Sequence, residues 1–130
     1  MAALTTGTDD REALRAALAQ PDKRLVVCLC AAWCDTCEEF KATFDRLAEA
    51  DSTAAYLWLD IEDESELVGE VDIENFPTIA VYRGSVPVFL GVTLPQQALV
   101  ARTLAALASR SAPAAVPPAI SALPGVLKNL

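Results

Sequence analysis

Two cysteines carry the chemistry that the sequence offers most plainly. They lie in Ala31-Ala32-Trp33-Cys34-Asp35-Thr36-Cys37. An apolar run, Leu25 to Cys30, precedes them and reads as a buried strand, while Phe40, Phe44, Leu47 and Ala48 follow at helical spacing. The pair therefore sits where a strand ends and a helix begins. The first turn of a helix has amide hydrogens without intrahelical partners, and the helix dipole favours negative charge there. A thiol at that point is biased toward the thiolate, the nucleophilic form. Cys37 comes three residues after Cys34, so one turn brings both side chains onto one face, where a disulfide closes with little backbone movement. The chemistry implied is a reversible two-electron exchange. Cys34 attacks, a mixed disulfide forms, and Cys37 resolves it.

The elements that must hold this pair follow from pattern. Thr8 or Asp9 caps a helix through about Ala19, ended by Gln20-Pro21-Asp22. Leu25 to Ala31 is apolar on both faces, as a central strand under helices tends to be. The helix behind the cysteines runs from about Asp35 to Ala50. Ala54 to Ile61 reads as a second strand, and Leu67, Val68 and Val71 as a short helix. Asn75-Phe76-Pro77 is a turn. Thr78 to Tyr82 and Val86 to Leu90 form a hairpin across Arg83-Gly84-Ser85, with Pro87 marking an edge strand. Leu94 to Leu107 is a closing helix. This order predicts an α/β fold with a central mixed sheet of four to five strands and helices on both faces. A domain over residues 1–110 is expected, followed over 111–130 by an Ala/Pro-rich linker and a short apolar C-terminal tail.

Composition narrows the function classes. The chain has 130 residues, a net charge of −8 and no histidine. One domain is expected, large enough to bury roughly two-thirds of its unfolded surface. The acidity argues against nucleic acid, which needs a basic face. The longest wholly apolar run, Leu25 to Trp33, is nine residues, well short of the ~20 a membrane helix needs. No signal-peptide pattern is present, and Asp9, Asp10 and Glu12 come early. A cytoplasmic, reducing location is the expectation, and there a C-x-x-C points to redox or metal chemistry.

Joined to the distant Phe76-Pro77-Thr78, the Ala32-Trp33-Cys34-x-x-Cys37 motif resembles the thioredoxin family. Gly84, Gly91 and the closing helix support the resemblance, which covers roughly residues 1–109. It implies a protein-disulfide reductase with Cys34 as nucleophile and Cys37 as resolving thiol. It implies a cis Pro77 packed against the disulfide, and a substrate groove shaped by Trp33, Phe76, Pro77 and Thr78. Disulfide-bearing client proteins would be the partners, and a thioredoxin-reductase-like protein or a small thiol the electron donor. No metal or organic cofactor is needed, and a monomer suffices.

The sequence departs from the family pattern at four positions. Between the cysteines, Asp35-Thr36 replaces the usual Gly-Pro. Asp35 puts a negative charge beside the Cys34 sulfur, with Glu38 and Glu39 beyond, and like charge works against the thiolate. A reductant is expected rather than a strong oxidant. The buried aspartate behind the second cysteine is Cys28 here, and its usual lysine partner is Trp58. The proton of the resolving step then goes to Asp35, Glu38 or water.

Blander readings stand beside these. Cys28 and Cys30 read as small hydrophobes of the central strand, since an intact strand would spread four thiolates rather than gather them around zinc. Trp58 reads as core. The run Asp60, Glu62, Asp63, Glu64, Glu66 reads as a solvated acidic loop, because it lacks the glycine and ligand spacing of a calcium site. The alternative to an enzyme is a thioredoxin-fold binding or co-chaperone module whose thiols contribute little.

Overall fold

A computed structural model of the chain describes residues 3–5, 7–20, 23–31, 34–64, 66, 77–93, 96–108 and 112–129. The expected helix around Leu67 to Val71, the Asn75-Phe76 turn, and residues Trp33 and Phe76 lie outside them. The described elements are α1 (Thr8–Leu18), β1 (Arg24–Cys30), α2 (Asp35–Ala50), β2 (Ala54–Asp60), β3 (Thr78–Arg83), β4 (Val86–Val92), α3 (Gln97–Ala106) and α4 (Pro118–Lys128).

The sheet runs β2-β1-β3-β4. β1 pairs in parallel with β2, and antiparallel with β3. β4 is the outer antiparallel strand, the place where Pro87, which has no amide hydrogen to donate, is tolerated. Gly84 turns the hairpin at φ 60°, a conformation that side chains disfavour. The mixed sheet with helices on both faces agrees with the order read from the sequence.

β1 alternates between two cores, as a strand with period two must. Val26, Cys28 and Cys30 point toward α2 and α3, where Phe40, Phe44, Val100 and Leu104 meet them. Leu25, Val27 and Leu29 point the other way, toward Leu14 and Leu18 of α1 and Ile120, Leu123 and Leu127 of α4.

The C-terminal tail is therefore a helix, and its inward residues follow the i, i+3, i+7 pattern of a buried stripe. Pro118 opens it, where a missing amide hydrogen costs nothing. Pro124 lies inside it and has no hydrogen to give the carbonyl four residues back, that of Ile120. The Tyr82 hydroxyl donates to that same carbonyl at 2.7 Å. A strand side chain thus repairs the gap a proline leaves in the helix.

The start of α1 differs from the expected cap. Gly7 is the N-cap, and no side chain caps the helix. Asp10 instead reaches back, accepting from the Thr5 amide at 2.9 Å and the Thr5 hydroxyl at 3.0 Å. Beside it, Leu4 bonds the outer edge of β2, donating to the Tyr56 carbonyl and accepting from the Trp58 amide. On the opposite side of the sheet, the Ala114 amide donates to the Pro87 carbonyl at 2.8 Å.

Candidate active site

The site is built at the C-terminal end of β1. The strand ends at Cys30, and the chain turns so that the Cys34 amide donates to the Ala31 carbonyl at 3.1 Å. The Cys34 carbonyl then accepts from the Glu38 amide at 3.2 Å. Cys34 is thus the N-cap of α2, in extended backbone, and no side chain competes for the first-turn amides. The N-cap and N3 positions lie one turn apart at a helix start. Here those positions are Cys34 and Cys37. Cys34 is half-buried against the α2-side core, while Cys37 is 1% exposed. Of the residues between them, Asp35 is exposed and Thr36 half-buried. Asp35 and Glu38 both stand in the first turn, where negative charge complements the helix dipole.

The disulfide in this structure joins Cys30 to Cys37, and Cys34 is a free thiol. The expected Cys34–Cys37 bridge is not the one formed in this state, and Cys30 is more than a small hydrophobe. Strand alternation explains the pairing. It aims Cys30 at the helix side, and the first turn of α2 lowers Cys37 onto the same face with a Cα–Cα distance of 5.8 Å. A residue two places back on that face is Cys28, whose sulfur lies 3.7 Å from that of Cys30. Because Cys30 is bridged, only Cys28 carries a hydrogen for this contact. Burial pushes the Cys28 thiol well above its ordinary value, so it stays protonated.

Cys28 stands beside Trp58 in the β1–β2 register. Trp58 is half-buried rather than enclosed. Its ring meets Phe44 at 5.8 Å and Phe40 at 6.5 Å, and the Lys41 ammonium sits 5.9 Å from its centre. That distance makes a cation–π contact.

Pro77 and Thr78 are buried at the same end of the sheet. Thr78 pairs with Leu29, so Pro77 follows one step further along toward Cys30. The Pro77 carbonyl accepts from the Thr93 amide at 3.0 Å. The Phe76–Pro77 bond lies outside the described residues. The acidic run after β2 is held by Asp60, whose carboxylate accepts from the amides of Glu62 and Asp63 at 2.8 and 3.0 Å.

Sequence reasoning missed Cys30. The signal was present: Cys28 and Cys30 are two apart and so share a face, and Cys30 is the last strand residue before the turn. What could not be read was which helix residue would lie over it.

Comparison with known proteins agrees with this fold. The thioredoxin family model matches residues 5–103. Thioredoxin-2 of Saccharomyces cerevisiae is 34% identical over 68 residues, covering 52% of this chain and 65% of its own length. Thioredoxin of Callithrix jacchus is 32% identical over 76 residues, covering 58% and 72%. Among solved structures, the germline-specific thioredoxin Deadhead of Drosophila melanogaster superposes with a TM-score of 0.65 at 26% identity, covering 82% of this chain and 99% of its own. Spinach chloroplast thioredoxin f gives 0.65 at 23% identity, covering 83% and 95%. With a matching family model over most of its length and a disulfide-capable cysteine pair at the strand–helix junction, the chain belongs to the thioredoxin family of thiol–disulfide oxidoreductases.

Proposed function

We propose that the chain reduces protein disulfides, with Cys34 as the attacking thiol and Cys37 as the resolving one. One observation carries this reading. Cys37 sits in the first turn of α2 within bonding reach of a neighbouring sulfur, while Cys34 stands at the N-cap, half-exposed and unbridged.

The electron donor first opens the Cys30–Cys37 bridge, delivering two electrons and two protons. The Cys34 thiolate then attacks one sulfur of a client disulfide, and the other client sulfur leaves as a thiolate and takes a proton. Cys37 attacks the Cys34 sulfur of the mixed disulfide, expelling the second client thiol. The strand position that the family resemblance assigns to a buried carboxylate is Cys28 here, and among the described residues no acidic side chain is buried. Asp35, Glu38 or water takes the Cys37 proton. Trp33, Phe76, Pro77 and Thr78 form the client groove in this reading. Pro77 and Thr78 are buried, so they contribute shape and backbone rather than exposed side chain.

A thioredoxin f2 of the same fold has been solved in complex with ferredoxin: thioredoxin reductase. This supports a reductase-like donor here, with a small thiol as the other source. A monomer in the reducing cytoplasm completes the proposal. Among the described residues, no helix is long and apolar enough to cross a membrane.

Dithiol-driven reduction of a model protein disulfide tests the assignment. Cys34→Ser is expected to abolish turnover, and Cys37→Ser to retain clients as mixed disulfides on Cys34. Turnover by Cys34→Ser at the wild-type rate would overturn it.

A further inference from the structure

We propose that Cys30 is a second exchange partner for Cys37, so that a disulfide first made between Cys34 and Cys37 moves inward to Cys30–Cys37 and returns Cys34 to the free thiol. The inference rests on the roles of Cys34 and Cys37 given above. It adds a third sulfur to the reaction and a second resting state to the protein.

Cys37 has one cysteine before it at the helix start and another bonded to it from β1. Cys34 is the N-cap, three residues earlier and so one turn away at the same helix start. Cys30 reaches it from the end of β1 and is bonded to it in this structure. A sulfur flanked in this way can trade one partner for the other without unfolding either element, because the strand and the helix are fixed by the same core.

The step balances as an isomerisation. The Cys30 sulfur, having lost its proton, attacks the Cys37 sulfur. The Cys30–Cys37 bond forms and the Cys34–Cys37 bond breaks. Cys34 leaves as a thiolate and takes up one proton, replacing the one Cys30 released. One disulfide is present before and after, so no outside oxidant or reductant takes part.

Cys28 supports the reverse step. When Cys34 attacks Cys37 in the inward form, Cys30 is the leaving group. Its sulfur lies 3.7 Å from a thiol that burial keeps protonated, and that S–H can be donated to the departing thiolate. Cys28 is thus a positioning residue, acting on Cys30 and not on the client.

The consequence is a change of mode. With Cys37 tied inward, Cys34 can still form a mixed disulfide, but Cys37 is not free to resolve it. The protein then holds a client instead of releasing it until a donor opens the inner bridge.

A time course with the full chain tests this. The reduced protein is mixed with limiting oxidised glutathione, quenched in acid at successive times, alkylated and mapped by peptide mass. Cys34 alkylation is expected to fall and then recover. Cys30 alkylation is expected to be lost as Cys34 recovers, with the Cys30–Cys37 peptide becoming the main bridged species. In Cys30→Ala, and in Cys30→Ser should the alanine variant fold poorly, Cys34 is expected to stay blocked. A Cys34–Cys37 bridge that persists in the wild type would overturn the inward transfer while leaving the proposed function intact. Recovery of Cys34 in the Cys30 variants would do the same. A Cys34 thiol that never loses its label, while Cys30 and Cys37 bridge directly, would overturn both.

Discussion

One strand supplies both cores of this protein, and the two sides of β1 differ by a single residue step. On one side stand Val26, Cys28 and Cys30, under aromatic rings and beside the free thiol of Cys34. On the other stand Leu25, Val27 and Leu29, under the aliphatic side chains of α1 and α4. Both sides are dry. Only the first holds groups that can exchange bonds. Dense aliphatic packing gives a fold its uniqueness and tolerates little change in volume. A sulfur-bearing side can therefore be spent on reactivity because its opposite carries a complete core of its own. Reactivity and stability are separated here by the pleat of a strand.

The largest expected effect tests that separation directly. Leu123→Ala empties a fully buried position on the aliphatic side and should cost about 2–5 kcal/mol in urea unfolding. The cysteine pairing of the oxidised protein, mapped by peptide mass, should stay as it is. A changed pairing would show that the two sides are mechanically one. A smaller effect is expected of Tyr82→Phe, which leaves the buried Ile120 carbonyl without its donor, at about 1–3 kcal/mol. In that background Pro124→Ala, which restores a backbone hydrogen for the same carbonyl, should recover part of the loss.

The smallest effect belongs to the reactive side but to its far end. Burial pushes the Asp51 carboxyl up, yet hydrogen bonds from the Thr53 and Tyr56 hydroxyls and the Thr53 amide, with the Arg24 guanidinium 3.6 Å away, outweigh it and hold Asp51 below its usual range. A carboxyl whose folded value lies below its unfolded value stabilises the fold above the unfolded value, near pH 4, and loses that contribution as pH falls through the folded one. Unfolding followed from pH 6 to pH 2 should therefore show an acid-labile component below about pH 4 that Asp51→Asn removes. An unchanged acid profile in that variant would move the acid sensitivity elsewhere, the cysteine end included.

Much of this was legible in the sequence. The alternation of β1, the helical spacing of Phe40, Phe44 and Leu47, and the edge position of β4 follow from period and from proline chemistry. These are local signals, and local signals survive folding when the core confirms them. The Cys30–Cys37 bridge was not legible, because a strand cysteine looks like any small hydrophobe until the helix residue above it is known. The C-terminal helix was hidden for another reason. Its proline content argues against a helix, and the two exceptions that rescue it differ in kind. Pro118 at the helix start is a known local allowance, but Pro124 depends on the Tyr82 hydroxyl, 42 residues earlier in the chain.

The bonds at the rims of the sheet have a bearing on how safely such a molecule can meet misfolded neighbours. An open strand edge templates the addition of foreign strands. Here Leu4 takes the bonding positions of Tyr56 and Trp58 on one rim, and on the other Pro87 lacks a hydrogen while Ala114 occupies its oxygen. At these positions the sheet is thereby closed to the strand addition that leads to edge-to-edge aggregation.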